Sequence, residues 1–392
     1  MTHKSLFILG RQPAIGRAEL ESLYGADTVE PIGEHAIACT LSPDEVQFGR
    51  LGGAVRLAKP LAVLDTIKWA DVARYIAEQL PSYLDYVPSE GKCKLGLSVF
   101  GLPVSPGQLF ATGLTLKKVC KKAGHSARVV PGEALELSSA QVLHNQLTSE
   151  LGFEFLCIRY NNKTYLAQTI AVQDITAYAR RDQGRPKRDA RVGMLPPKLA
   201  QTIINLATGS QPPGDDHSIL DPFCGTGVVL QEALLMGYGA YGSDLEPRMI
   251  DYSKQNIDWL RTGHNTILEA GDATTHHWVH PFTAVASETY LGSPLSSWPG
   301  PEKLQTIIGT CNVIVEHFLT NMWAQIPHGT RLCLAVPAWL APNHRVHHLP
   351  LLDRLDDLGY NQVSFLYAGR GEMIYHRPDQ LVARELLVIT RK

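Results

Sequence analysis

The sequence predicts a doubly wound α/β domain over residues 193–392, preceded by an α+β region over residues 1–178 and a basic linker over 179–192. From "SILDPF" to the C-terminus, short apolar runs alternate with stretches of helical periodicity, the pattern of a mostly parallel sheet covered on both faces. The segment "DPFCGTG" places two glycines where a strand ends and a helix begins. Between the halves, "ARRDQGRPKRDARVGMLPPKLA" is rich in proline, glycine and arginine and lacks apolar periodicity, which marks a boundary near residues 178–192.

In the first half, "SLFILG" reads as a short strand and "AIGRAELESLYG" as an amphipathic helix ended by Gly25. "HAIACTLS" and "AVRLAKPLAVL" are strand-like, "WADVARYIAEQLPSYL" has helical spacing interrupted at Pro81, and "KLGLSVFGL" alternates as a strand. A helix over "GQLFATGLTLKKVCKKAGHS", a strand at "ARVV" and a helix with a serine cap over "LSSAQVLHNQL" follow. "FEFLCIRYNNKTYLAQTI" is two strands joined at Asn161-Asn162, a pair that tolerates positive φ in a tight turn.

The second half begins with the helix "KLAQTIINLA". Strand and helix then alternate through "SILDPF", "GVVLQEALLMG", "AYGSDL", "PRMIDYSKQNIDWL", "TILEAGDA", "TAVASE", a long helical region, "RLCLAVP" and "LLDRLDDLGY". "MIYHRPDQLVARELLVITRK" reads as a terminal antiparallel hairpin.

With 392 residues, 44% hydrophobic and 19% charged, the composition is that of a globular protein of two or three domains. The net charge of −2 excludes a globally basic nucleic-acid binder and leaves local basic patches to supply any phosphate contacts. Only a four-residue apolar run precedes Gly10 and no run approaches a membrane span, so a cytoplasmic location is expected. The seven cysteines show no Cys-x-x-Cys pairing and read as free thiols. The doublets His276-His277 and His347-His348 have no partner at metal-ligand spacing, so no metal site is expected.

The turn Asp221-Pro222-Phe223-Cys224-Gly225-Thr226-Gly227 sits at the carboxyl end of a strand, where ligands bind in open α/β sheets. Leu230 occupies the place of the third glycine of a dinucleotide loop, and the Gly-Lys-Ser/Thr of a phosphate loop is missing. S-Adenosylmethionine, which carries no phosphate, needs neither feature. The second strand ends at Asp244-Leu245, where an acid can accept both ribose hydroxyls. The third ends near Asp272-Ala273, where an acid can accept from an adenine amine. A lone aspartate at such a place is usually a turn or helix cap, but three acids at three consecutive strand ends form a joint signal.

"DPFCGTG" resembles the cofactor loop of class I methyltransferases, and more narrowly that of tRNA guanine-N2 methyltransferases. "RRDQGRPKRDARVGMLPPKLAQTIINLA" resembles that family's segment leading into the catalytic domain, and the first half resembles its ferredoxin-like plus THUMP module. The resemblance implies a Rossmann-like methyltransferase domain, S-adenosylmethionine as cofactor and tRNA as partner. Lys117, Lys118, Lys121, Lys122 and Arg128 form a basic run that can neutralise phosphates or line a solvated helix face. Arg180, Arg181, Arg185, Lys187, Arg188 and Arg191 form a second cluster, from which Arg185 is a candidate RNA contact.

The family places an Asp-Pro-Pro-Tyr type tetrapeptide after the fourth strand, where an acid bonds the acceptor amine and an aromatic stacks on the base. Here that place holds Ser287, Glu288, Thr289 and Tyr290, without proline. Matching the tyrosines sets Ser287 against the acid; matching Gly292 to a following glycine sets Glu288 there. Glu288 as the amine-binding carboxylate and Tyr290 as the stacking group are the favoured pair. A base other than guanine, in RNA or DNA, and a degenerate site that binds cofactor or RNA without transfer are the alternatives.

Overall fold

The computed structural model describes residues 3–88, 90–189, 195–263, 266–343, 345–377 and 380–392. They form two compact units. One comprises the chain up to Pro13 with Asp27–Gly49 and Ala54–Ala177; the other comprises Ala14–Ala26, Arg50–Gly53 and Tyr178–Lys392. The first helix, α1 (Pro13–Tyr24), therefore falls almost wholly in the second unit.

The first unit is built on one eight-stranded mixed sheet. Its strands are β1 (Ser5–Leu9), β2 (Val29–Pro31), β3 (Ala36–Cys39), β4 (Ala54–Leu64), β5 (Lys92–Phe100), β6 (Ser126–Val129), β7 (Gly152–Tyr160) and β8 (Lys163–Val172). They lie in the order β2-β3-β1-β4-β8-β7-β5-β6, with β5 parallel to both β6 and β7. The turn between β7 and β8 has positive φ at both Asn161 (47°) and Asn162 (59°), the geometry expected of that pair in a two-residue hairpin.

Helices α2 (Trp69–Leu84) and α3 (Pro106–Lys122) bury Val72, Ile76, Leu80, Leu109, Leu116 and Cys120 with Leu95, Phe155 and Cys157 of the sheet. Pro81 does not break α2: it lies in the last turn, and the helix continues past it to Leu84. Ser105 and Ser138 each make a capping box, with Gln108 at the start of α3 and with Gln141 at the start of α4 (Ser139–His144).

In the second unit, helix α5 (Ile175–Gln183), which carries the unit boundary, leads to α6 (Pro197–Thr208). The sheet contains β9 (Gly214–Asp221), β10 (Tyr238–Asp244), β11 (Thr266–Ala270), β12 (Ala284–Glu288), β13 (Arg331–Leu340), β14 (Val346–His347), β15 (Tyr360–Gln362), β16 (Ile374–Tyr375) and β17 (Val382–Arg391). The path is β11-β10-β9-β12-β13-β17-β15, with β14 on β13 and β16 on β17. Strands β9 to β13 run parallel along this path and β17 is antiparallel, as a terminal hairpin requires.

Alternation along these strands feeds two cores. Ile219, Ala286, Ala335 and Leu386 face α6 and α7 (Val228–Leu235). Leu220, Val285, Leu334 and Leu387 face α9 (Pro301–Trp323), which buries Leu304, Ile308, Cys311, Val315 and Phe318 at helical spacing. Helix α8 (Pro247–Leu260) packs Ile257 with Leu230 and Ala240. "LLDRLDDLGY" does not form a regular helix. It is a short 3-10 turn at Pro350–Asp353 followed by turns, which still bury Leu351, Leu352 and Leu355.

Assigning all of residues 1–178 to one N-terminal region is corrected by α1 and Arg50–Gly53. Glu19 of α1 is fully buried and accepts Gly52 N–H (2.9 Å), Gly53 N–H (2.7 Å) and Asn205 Nδ2 (2.8 Å). Burial pushes its carboxyl pKa up, against the pull of Asn205 and the two amides. Arg50 donates to Asn205 Oδ1 (3.0 Å) and to the Tyr238 hydroxyl (2.8 Å). These polar groups satisfy one another only inside the second unit, and no periodicity in the sequence announces that.

The first unit has its own buried ion pair. Arg56 Nε donates to Glu154 Oε2 at 2.9 Å, and Ser98 and Thr169 donate to the same carboxylate at 2.6 Å each. Arg56 also donates to the Leu137 carbonyl. Removing one partner strands a buried charge, so Glu154→Ala should cost about 3–5 kcal/mol in urea unfolding. The double change Arg56→Met, Glu154→Leu should cost far less than Glu154→Ala; equal losses would mean that packing, not the stranded charge, sets the penalty.

Candidate active site

Asp221, Asp244 and Glu288 are the last residues of β9, β10 and β12, so all three acids stand on the carboxyl edge of the parallel strands. Between β9 and α7 the chain turns at Gly225-Thr226-Gly227. Gly225 N–H donates to Asp244 Oδ2 (2.8 Å), and Gly227 N–H donates to the Cys224 carbonyl (2.7 Å). At Gly227 φ is +78°, and a Cβ would lie 2.8 Å from Ser253 Oγ, so both conformation and space exclude a side chain.

Three buried side chains that sequence reasoning missed hold this turn. Ser253 donates to the Gly225 carbonyl (2.8 Å), Asn256 to the Thr226 carbonyl (2.9 Å) and Gln231 to the Gly227 carbonyl (2.9 Å). Asn256 also exchanges two hydrogen bonds with the backbone of Lys187 (2.8 and 2.9 Å), tying the linker to the loop. Their spacing within α7 and α8 was the signal that could have found them: polar residues on faces that the apolar pattern buries.

Asp244 Oδ1 accepts Glu246 N–H (2.9 Å), and burial raises the Asp244 pKa. Asp272 lies two residues past β11 and accepts from Thr274 N–H (2.9 Å) and Oγ1 (2.7 Å). Leu245 is 68% exposed, whereas Ala273 and Thr226 are buried. Phe223 meets Phe318 edge-on, with centroids 5.2 Å apart.

Strand β12 separates the acceptor candidates by alternation. Ser287 is fully buried and donates to Asp221 Oδ1 (2.6 Å), so its hydroxyl is already engaged. Glu288 points to the other face, where Arg384 Nε donates to its Oε1 (2.7 Å) and Arg384 Nη1 donates to Gln380 Oε1 (2.7 Å). Thr289 turns inward, its N–H on the Ala335 carbonyl (3.1 Å), and Tyr290 is 41% exposed. Glu288 and Tyr290 thus stand in the more open positions, and Ser287 and Thr289 stand inside.

The basic candidates divide. Lys117, Lys118, Lys121 and Lys122 on α3 and Arg128 on β6 are exposed, and Arg128 reaches Asn145 Oδ1 at 3.3 Å. Arg185 is only 3% exposed, which removes it as a surface phosphate contact. Within the same cluster Arg181 grips Glu232 (2.7 and 3.2 Å) and Lys187 lies over the Tyr252 ring. Arg191 lies outside the described residues.

Burial raises the Asp221 pKa to about 7, reinforced by Asp244 and Glu288 and opposed by Ser287 and the Phe223 amide. The folded state then keeps a proton that the unfolded chain, titrating near 3.8, has released, so this group's contribution to stability falls as pH rises from about 4 to about 7. Asn at this position accepts the same hydrogen bonds without charge. The stability of Asp221→Asn relative to the parent should therefore climb over that range, by an amount on the order of a few kcal/mol. A difference that stays flat in thermal melts between pH 4 and pH 7 would refute the buried, proton-holding aspartate.

Residues 185–293 match the family model for the UPF0020, RMKL-like methyltransferase domain. A tRNA (guanine(10)-N2)-dimethyltransferase of Methanothermobacter thermautotrophicus is 29% identical over 148 residues, 38% of this chain and 40% of that protein. One from Pyrococcus abyssi is 34% identical over 102 residues, 25% of this chain and 29% of that protein. The matched stretches thus span well under half of these relatives. The crystal structure of TrmN from Thermus thermophilus aligns over 100% of both chains with a TM-score of 0.53 and 14% identity, a likeness of fold. Residues 185–293 are accordingly similar to methyltransferase domains of the UPF0020, RMKL-like type, and the chain shares the fold of TrmN.

Proposed function

We propose that the chain is an S-adenosylmethionine-dependent methyltransferase acting on the exocyclic N2 amine of a guanine in tRNA. The observation that carries this reading is the Glu288 carboxylate, held by Arg384 at the carboxyl edge of the sheet, one strand from the Gly225–Gly227 turn. The names of the curated relatives, each a tRNA guanine-N2 dimethyltransferase, support the same substrate.

The donor side fits the cofactor. Asp244 would accept the ribose hydroxyls, Asp272 the adenine amine, and the exposed Leu245 would cover the base. The turn at Gly225-Thr226-Gly227 brings backbone close without a side chain in the way. S-Adenosylmethionine supplies an electrophilic methyl group on a sulfonium centre. The protein's own part is to present the acceptor in line and to favour its nucleophilic form.

Glu288 meets that requirement chemically. The amine of guanine is conjugated to the ring, and hydrogen bonds accepted from it favour the sp3-like, nucleophilic nitrogen. Guanine presents N1–H beside its N2 amine, two donors in a row, which suit an acceptor-only carboxylate. Adenine and cytosine place a ring acceptor beside their amine and would leave it facing an anion. Tyr290 supplies an aromatic face for stacking. The first unit reads as THUMP-like, with the lysines of α3 as phosphate contacts.

Incubation with labelled S-adenosylmethionine and bulk tRNA, followed by nucleoside digestion, should yield N2-methylated guanosine. Label confined to DNA or to adenine would sink the reading, and tRNA binding without label would favour a degenerate site. Asp244→Ala should weaken cofactor binding in calorimetric titration. Glu288→Ala should leave that binding near normal while slowing turnover roughly 10²-fold.

Replacing Lys117, Lys118, Lys121 and Lys122 with alanine should weaken tRNA binding and flatten its salt dependence by roughly 0.7–0.9 in log–log slope for each phosphate no longer neutralised. Filter binding across a salt series measures this; an unchanged slope would make α3 a solvated face only.

A further inference from the structure

We propose that Arg384 is a positioning residue for the acceptor base, replacing with an ion-pair clamp the stiffness that prolines give the corresponding tetrapeptide. The inference rests on the assignment of Glu288 as the acceptor carboxylate. In "SETY" no proline restrains the turn, and glutamate has one more rotatable bond than aspartate. Left alone, such a side chain would lose its orientation among rotamers.

The sheet supplies the restraint. Glu288 lies beside Ala335 of β13, Ala335 lies beside Leu386 of β17, and Arg384, two residues before Leu386, lies beside Pro337. By strand alternation Glu288, Ala335, Leu386 and Arg384 share one face, and the guanidinium reaches across β13 to the carboxylate. The guanidinium is fixed at two points: Nε on Glu288 Oε1 and Nη1 on Gln380 Oε1, both 2.7 Å. Two anchors define the guanidinium plane, which a lysine ammonium cannot reproduce. Among the described residues the clamp engages only Oε1 of Glu288, so Oε2 is the oxygen presented to a base.

Energetics point the same way. The Arg384 side chain is 5% exposed and that of Glu288 15% exposed. A pair so buried gains little stability over apolar residues of similar size, because desolvation offsets the attraction. What it does supply is direction and a fixed charge at a strand end that no proline stiffens.

The test uses the full chain, labelled S-adenosylmethionine and tRNA, with kcat, KM for tRNA, cofactor Kd and melting temperature read for each variant. Arg384→Met should lower kcat by about a hundredfold, as misplacement of a reacting group does, with cofactor Kd within about twofold of the parent. Arg384→Lys should fall between the two, since charge returns without the fork. Gln380→Leu, which leaves both charges in place, should lower kcat several-fold and keeps the proposal testable if Arg384→Met folds poorly.

The decisive comparison is the cycle with Glu288→Ala: adding Arg384→Met to it should cost nothing further, because the arginine acts only through that carboxylate. Full additivity, parental kcat in Arg384→Met or Gln380→Leu, or a cofactor Kd that worsens in step with kcat would each overturn the clamp. Should Glu288→Ala alone keep full activity, the acceptor assignment itself fails; if Glu288→Ala is slow and Arg384→Met is not, only the clamp fails.

Discussion

The hydrogen bond from the Gly225 amide to the Asp244 carboxylate ties the end of one parallel strand to the end of the next, and the candidate donor site is organised around it. For that amide to point at Asp244 the chain must turn within three residues. The turn needs positive φ at Gly225 and Gly227, and the carbonyls it exposes must find donors. Ser253, Asn256 and Gln231 are those donors. A surface loop of this shape would depend on water; here helices α7 and α8 carry the polar groups, so the loop is preorganised by protein.

The candidate acceptor side follows a different logic, set by the two-residue period of β12. Ser287 goes down to Asp221 and Glu288 goes up to Arg384. Four acids, Asp221, Asp244, Glu246 and Glu288, stand near one edge of the sheet, and burial pushes the protonation of the two deepest upward. Arg384 answers Glu288 alone. Neutralisation at Asp221 by proton retention and at Glu288 by a guanidinium are two physically distinct ways of tolerating negative charge at one edge.

Much of the architecture could be read from local chemistry. Asn161-Asn162 announced its hairpin because few other residues accept positive φ in succession. The serine cap of α4 lies where the Ser-x-x-Gln pattern puts it. The failures share a cause: they depend on partners distant in sequence. Glu19 looks like an ordinary residue of an amphipathic helix until Asn205 and Gly52 surround it, 186 and 33 residues away. Arg185 looks like part of a basic stripe until the second unit buries it. "LLDRLDDLGY" has leucines enough for a helix, yet burying Leu351, Leu352 and Leu355 needed only turns.

The sequence by itself determined the doubly wound domain, the strand-end turn at Gly225–Gly227 and the acids around it, because periodicity, glycine φ freedom and strand-end placement are local properties of the chain. It left Ser287 and Glu288 as rivals for the acceptor role. Only the tertiary structure sets which face of β12 each side chain takes and delivers Arg384 from a strand 96 residues away to Glu288. Strand alternation is visible in one dimension, but the partner that gives a carboxylate its direction comes from the pairing of strands, and that pairing exists only in the folded sheet.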